Sequence, residues 1–272
     1  MRQFNFASSL KLTGFDLHNN RRYLLGWSAS IFAIMFMYMI LFPSMQDMAK
    51  IKMEALPKQF LQLFDMEDFS SLDNFINYFG MVFNLILIAM SIFAASFSAN
   101  LLYREEKGKT IEFLYSLEVS RTEIYISKLL TAFVAALAVL LSATVSTWIC
   151  GAINGGETFV VGDFLQIIKV SGFCVFFFMA LSVMLAGITA KVGVGAVGSM
   201  IVLACYLLGY LSKLLETKAQ WLAYFSPFEL FSPQNAVKLE SKTLTEMGAY
   251  FGLALAFVIV GGLVYRRRDF NI

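Results

Sequence analysis

Six stretches of this 272-residue chain contain no Asp, Glu, Lys or Arg, and they restrict what it can fold into. They run Tyr23–Phe42, Phe79–Leu102, Leu129–Cys150, Val170–Ala190, Val192–Ser212 and Met247–Tyr265. An uncharged apolar run of about 18 residues or more is long enough to cross a bilayer core of about 30 Å as a helix. Charged residues make up only 15% of the chain, against roughly 25% in a soluble domain. The expected fold is therefore an all-α membrane protein, one transmembrane domain over residues 1–272 with six transmembrane helices. Only Lys191 separates the fourth stretch from the fifth. Joined, they would make a helix of about 65 Å, twice the core, so the chain must turn near Lys191. Gly187, Gly193 and Gly195 make a tight turn feasible there.

Basic residues set the expected orientation, because Lys and Arg near span ends favour the cytoplasmic side. One side collects thirteen basic residues, among them all eight arginines: Arg2, Arg21, Arg22, Arg104, Arg121, Arg266, Arg267 and Arg268. The other side has eight lysines. Both termini are accordingly expected in the cytoplasm, in a multi-pass protein of the cell membrane. Tyr23, Tyr103 and Tyr265 at inner span ends, and Tyr78, Trp148 and Tyr210 at outer ends, fit interfacial aromatic belts. The first span is too long for a signal-peptide core and about 22 mostly polar residues precede it. Within them, Phe4, Phe6, Leu10, Leu12, Phe15 and Leu17 suit either a short amphipathic helix at the inner surface or a frayed tail. The outer loops are 43–78 and 213–246; the first holds amphipathic pieces around Phe60, Leu61, Phe64, Phe69, Phe75 and Ile76.

Several chemistries are excluded. The one histidine, His18, lies outside the apolar stretches. Cys150, Cys174 and Cys205 are too scattered for metal ligation or disulfides and read as packing residues. No catalytic residue, metal site or cofactor is expected in this chain, and no nucleic-acid partner. Proton- and sodium-coupled transporters keep ionisable groups at membrane depth. These spans offer only uncharged polar groups such as Asn84, Ser91, Ser98, Asn100, Ser142, Ser146 and Ser182, whose ordinary role is helix packing. Uphill transport would then draw its energy from another subunit. Gly108-Lys109-Thr110 looks like the end of a phosphate-binding loop, but that loop needs a Gly where Tyr103 stands, and no strand precedes it.

The loop between spans two and three, Arg104 to Lys128, is the most informative segment. Gly108 can end the second helix. Ser120-Arg121-Thr122-Glu123 is a capping box flanked by Val119 and Ile124 as a hydrophobic staple. The third helix should therefore start at Arg121, about 12 Å before its apolar part. Between the two stalks, Thr110–Glu118 has Ile111, Leu114 and Tyr115 on one face, with Glu112 and Glu118 off it. Such a short amphipathic helix either rests on lipid headgroups or fills a groove on a soluble partner. Glu105 and Glu106 disfavour anionic lipid and tip the reading toward a partner.

The chain resembles the permease subunit of ATP-binding-cassette (ABC) transporters of the type-2 exporter family. The resemblance is carried by Glu105–Leu114, by Leu117–Arg121, by Lys128 opening the third span, by Ser226–Phe228, and by Tyr265–Phe270. It implies that 110–118 is a coupling helix docking on an ABC ATPase subunit. The interface residues would be Glu105, Glu106, Lys107, Gly108, Thr110, Ile111, Glu112, Phe113, Leu114, Tyr115 and Arg121. It also implies a connecting helix over 4–20, ATP and Mg bound on the partner subunit, and pairing with a second permease chain as homodimer or heterodimer. Residues 213–246 would be partly re-entrant. Membrane lipid surrounds the rest, and the Phe- and Met-rich spans suit an amphipathic or hydrophobic cargo such as a drug, peptide or lipid. The competing readings are a secondary transporter working without ATP, a membrane enzyme, and a sensory or immunity subunit of an ABC-type complex.

Overall fold

Hydrocarbon accepts no hydrogen bonds, so a chain with six long apolar stretches must satisfy its backbone within each stretch, as a helix does. The computed structural model describes residues 5–51, 74–107, 119–189, 193–215, 220–237 and 241–267, and among these there is no strand. The helices are α1 (Phe6–Ile40), α2 (Phe42–Ile51), α3 (Phe75–Lys107), α4 (Arg121–Asn154), α5 (Val161–Ile188), α6 (Val194–Leu214), α7 (Pro227–Leu230), α8 (Pro233–Val237) and α9 (Ser241–Arg267). Six of them, α1, α3, α4, α5, α6 and α9, are long and apolar enough to cross a membrane. The all-α, six-span, multi-pass architecture expected from the charge-free stretches is the one observed.

α3 and α5 pack along each other and form the centre of the bundle; α6 lies on α3, α9 on α5, and α1 chiefly on α4. In their most apolar stretches α3 and α5 bury 61% and 67% of residues, whereas α1, α6 and α9 bury 22%, 28% and 11%. Those three helices therefore turn apolar faces outward, as lipid or a second chain in the membrane requires. The centre is aromatic: Phe79 packs on Phe83 and Phe164, with ring centroids 5.1 and 5.2 Å apart.

The structure departs from the sequence reading at the N-terminus. Residues 6–20 do not form a separate surface helix; they continue into the first span as one 35-residue helix, capped by Asn5, whose side chain accepts from the Ala7 N–H. No proline lies between Phe6 and Ile40, so the i to i−4 ladder is not interrupted. The polar face of this stretch packs on the bundle and its apolar face is left for the membrane surface. Ser9, Thr13, Asp16 and Asn20 are buried, while Phe6, Leu10 and Phe15 are exposed.

The fourth and fifth spans are separate helices that pack on each other. Residues 190–192, including Lys191, lie outside the described residues. Of the three glycines expected to permit the turn, only Gly193 is left-handed, at φ 95°. Gly187 and Gly195 lie in helices and serve close approach instead. A Cβ on Gly187 would sit 2.7 Å from the Gly261 carbonyl oxygen of α9, and one on Gly195 would sit 3.0 Å from the Asn100 side chain of α3.

Between α6 and α9 the chain turns back into the bundle. A 3₁₀ turn (Gln220–Phe225), α7 and α8 bring Phe228 to 5.2 Å from Phe178, near the middle of α5. Side chains satisfy the carbonyls this irregular backbone frees. Gln166 donates to the Ala236 carbonyl at 2.6 Å, Asn235 to the Glu229 carbonyl at 3.0 Å, and the Cys174 thiol to the Pro227 carbonyl at 3.5 Å.

The Gly187–Gly261 approach supplies a test. Gly187→Val places a branched side chain against α9 backbone and is expected to lower stability by about 1–3 kcal/mol. Gly162→Ala, where an added Cβ meets nothing within 4 Å, should leave the thermal unfolding midpoint of the detergent-solubilised chain nearly unchanged. Equal midpoints for the two variants would contradict the close packing of α5 on α9.

Candidate functional site

The end of the bundle that carries both termini holds a set of polar side chains that lock four helix ends together. It begins with the local code of α4. Ser120 is its N-cap and accepts from the Glu123 N–H, while the Glu123 carboxylate accepts from the Ser120 N–H at 2.8 Å, so both halves of the capping box are formed. The negative charge at the third position also complements the helix dipole. The helix starts at Arg121, where the capping box predicts, two turns before its apolar part.

The same carboxylate reaches a second chain segment. Glu123 Oε1 accepts from the Asn5 N–H at 2.7 Å, so one side chain closes the start of α1 and the start of α4 together. One turn further along α4, the Thr13 hydroxyl of α1 sits between two acceptors, the Ser9 carbonyl of its own helix at 2.9 Å and the Ser127 carbonyl of α4 at 3.3 Å. Beyond it, Lys128 Nζ donates to both carboxylate oxygens of Asp16, at 2.9 and 2.8 Å. The side chains of this ion pair are only 5% and 9% exposed. Asn20, the next member of the α1 stripe, accepts from Arg104 near the end of α3 at 2.9 Å. The stripe Ser9, Thr13, Asp16, Asn20 alternates steps of four and three residues, so one face of α1 points it at α4 and α3.

α9 joins the same assembly. The Tyr125 hydroxyl donates to the Val258 carbonyl at 2.7 Å, and Arg121 donates to the Arg266 carbonyl at 3.3 Å. Tyr265 is buried against Tyr125, with ring centroids 5.7 Å apart.

This clasp brackets the loop singled out by sequence. α3 ends at Lys107 and α4 begins at Arg121, so residues 108–120 leave from and return to the same locked end. Of the expected interface residues, Glu105, Glu106 and Lys107 form the last turn of α3, and Arg121 opens α4. Gly108, Thr110, Ile111, Glu112, Phe113, Leu114 and Tyr115, with the rest of the expected coupling helix 110–118, lie outside the described residues. Sequence reasoning missed Asn5, Thr13, Asp16, Asn20 and the partner role of Lys128. One signal was present: Asp16 is the sole acidic residue before Asp47, set among Lys11, Arg21 and Arg22. A lone carboxylate at a span entrance asks for a specific cation.

Residues 11–266 match the family described as the C-terminal domain of the multidrug efflux system permease Rv1217c. The chain belongs to this family. The match takes in all six membrane-crossing helices and the clasp from Lys11 onward, so this member of the efflux-permease family carries the membrane domain of a transporter. No curated protein matches the chain.

The geometry predicts an asymmetric response to mutation. Removing one partner of a buried ion pair leaves an uncompensated charge, which costs about 3–5 kcal/mol, whereas an apolar pair of similar volume is often neutral. Asp16→Ala should therefore sharply lower the thermal stability of the purified chain. Asp16→Leu combined with Lys128→Met should recover most of the loss. If the double variant were no more stable than Asp16→Ala, the pair would not be a matched buried contact.

Proposed function

We propose that this chain is the membrane-spanning permease of an ATP-driven exporter, energised by a separate ABC ATPase subunit and working as a pair of permease chains. Its cargo is an amphipathic or hydrophobic compound moved out of the cell across the plasma membrane. The observation that supports this best is the clasp. A force applied to residues 108–120 meets α4, and α4 is joined to α1 by Glu123, by Thr13–Ser127 and by the Asp16–Lys128 pair. A displacement at the loop is therefore passed on as movement of two membrane-crossing helices rather than absorbed by bending. Regular, capped helices joined by buried ion pairs transmit displacement as rigid units, and small shifts are amplified where such units slide past one another.

Two further observations agree. The spans carry no carboxylate at membrane depth, so the chain lacks the groups by which proton- or sodium-driven carriers couple to a gradient. The family it belongs to is named for multidrug efflux. ATP and Mg belong to the partner subunit in this reading. The residues that would meet it are Glu105, Glu106, Lys107, Gly108, Thr110, Ile111, Glu112, Phe113, Leu114, Tyr115 and Arg121, with the clasp side, and both termini, in the cytoplasm.

The docking proposal is tested by replacing Glu112, Phe113 and Leu114 together with Ala in the complex with its ATPase. Co-purification of the ATPase should fall, and ATPase activity stimulated by the permease should drop at least about tenfold, the loss of roughly 1.4 kcal/mol of interface energy. Unchanged assembly and unchanged activity would refute the docking assignment. Orientation has its own test. A single cysteine introduced at position 2, with the three native cysteines replaced by Ser, should resist a membrane-impermeant maleimide in intact cells and react after permeabilisation.

A further inference from the structure

The half of the bundle opposite the clasp contains a pocket that the coupling argument does not use. It lies between α5, α6, α9 and the segment that turns back before α7. Phe177, Leu181 and Leu253 supply its apolar wall, and Tyr224, Phe225 and Tyr250 its aromatic side. Its free volume is about 440 Å³, within the roughly 300–1,000 Å³ typical of small-molecule sites.

The rim is built rather than incidental. The Tyr250 hydroxyl donates to the Tyr224 carbonyl at 2.5 Å, tying the 3₁₀ turn to α9. Phe177 stacks edge-on against Tyr250 with ring centroids 5.2 Å apart, which fixes that ring from below. Around this tie, Trp221, Tyr224 and Phe225 are each about 60% exposed, and Trp221 meets Phe225 edge-on at 6.1 Å. Of these three rings, those of Tyr224 and Phe225 line the pocket. They offer π faces to whatever enters the pocket.

Charge completes the pattern. Glu246 stands four residues before Tyr250, one turn away on the same face of α9, and it is the last charged residue before the apolar stretch that starts at Met247. The carboxylate of α7, Glu229, is already engaged by Lys213 at 3.0 Å. An apolar pocket of this size, with aromatic faces in its wall and a carboxylate one helical turn before the lining residue Tyr250, is complementary to a bulky organic cation. The hydrophobic body fills the chamber, the aromatic faces attract the positive charge, and Glu246 neutralises it. A neutral acyl chain would use the chamber but neither the ring faces nor the carboxylate.

We infer that the pocket between α5, α6, α9 and the Trp221–Pro227 segment binds lipophilic organic cations, with Glu246 and the rings of Tyr224, Phe225 and Tyr250 as the groups that select the charge. This names a cargo class for the exporter reading and rests on it only for transport. Binding requires no ATPase, so failed coupling through the 108–120 loop and failed binding here are separate results.

The test is equilibrium dialysis of radiolabelled tetraphenylphosphonium against the purified full chain in zwitterionic lipid nanodiscs, with neutral triphenylphosphine oxide as the uncharged probe. Saturable binding of the cation at one site per chain is expected. Glu246→Gln should weaken cation binding about threefold to fivefold, as loss of a partly exposed ion pair does, while leaving the neutral probe unaffected. Tyr224→Ala with Phe225→Ala, at exposed positions that do not hold the core, should weaken the cation by about tenfold, the scale of a desolvated cation–π contact. Cation binding that is unchanged in both variants would overturn the assignment. So would a co-purified phospholipid that tetraphenylphosphonium fails to displace, since the chamber would then be an acyl-chain site.

Discussion

Hydrocarbon offers nothing for a backbone N–H or C=O to bond with, and this constraint organises the whole chain. Over the six long helices it is met locally and needs no particular side chain. It becomes demanding only where the helix stops. The segment from Gln220 to Val237 enters the bundle as short turns, and its carbonyls would be orphaned without Gln166, Asn235 and the Cys174 thiol. The regular helices need such help at few places. Ser146 and Cys150, one turn apart on α4, donate to the Phe32 and Phe36 carbonyls of α1, at 3.0 and 3.9 Å. They serve as lateral ties rather than replacements for lost backbone bonds.

Those ties continue a pattern that reaches its strongest form at the clasp. α1 and α4 are joined by Ser146 and Cys150 within the apolar region, by Asp16–Lys128 and Thr13–Ser127 nearer the termini, and by Glu123 at their common start. α3 and α5 are joined differently, through aromatic and small-residue packing. The bundle thus consists of a polar-stitched pair and a packed pair, with α6 and α9 on the flank of the second. Between the two pairs the contacts are largely aromatic along the spans, as where Trp27 meets Phe93, and polar at the clasp, where Asn20 meets Arg104. α4 also touches α9 through Tyr125 and Arg121, so the stitched pair has a handle on the far side of the packed one.

The span count and the capped start of α4 were legible in the sequence because each leaves a local mark: absent charge and a Ser-x-x-Glu box. The inward return of the 220–237 segment left no such mark and was implied only by the family resemblance. The N-terminal stripe was not legible either. Phe6, Leu10 and Phe15 gave the apolar periodicity of a surface helix, and in water that face would have been buried. Here Ser9, Thr13, Asp16 and Asn20 face α4, because satisfying Asp16 and Lys128 with each other outweighs covering three apolar side chains that membrane or a partner can cover. Gly187 misled in a related way. A glycine near a span end reads as a turn, but it is the approach of α9 backbone that requires it. Whether a glycine serves conformation or proximity depends on a neighbour remote in sequence.

A deeper reason limits what any such sequence reveals about facing. Lipid tails are as apolar as leucine, so polarity cannot sort the inside of a membrane bundle from its outside, and size does so instead. The outward face of α6 carries Met200, Leu203, Leu207 and Leu211, and that of α9 carries Phe251, Leu255, Ile259 and Leu263. Small residues occupy the contacts: Gly198 against Ser182, Gly187 against Gly261, Gly172 against Leu140, and the buried Ala132, Ala135, Ala136 and Ala143 of α4. An alanine and a leucine are equally hydrophobic to a reader of periodicity, yet here they mark opposite faces. The same sorting explains why the exposed aromatics beside Tyr250 stand out. They are large like lipid-facing residues, but they are gathered on one turn whose Tyr224 carbonyl is tied to α9 by the Tyr250 hydroxyl.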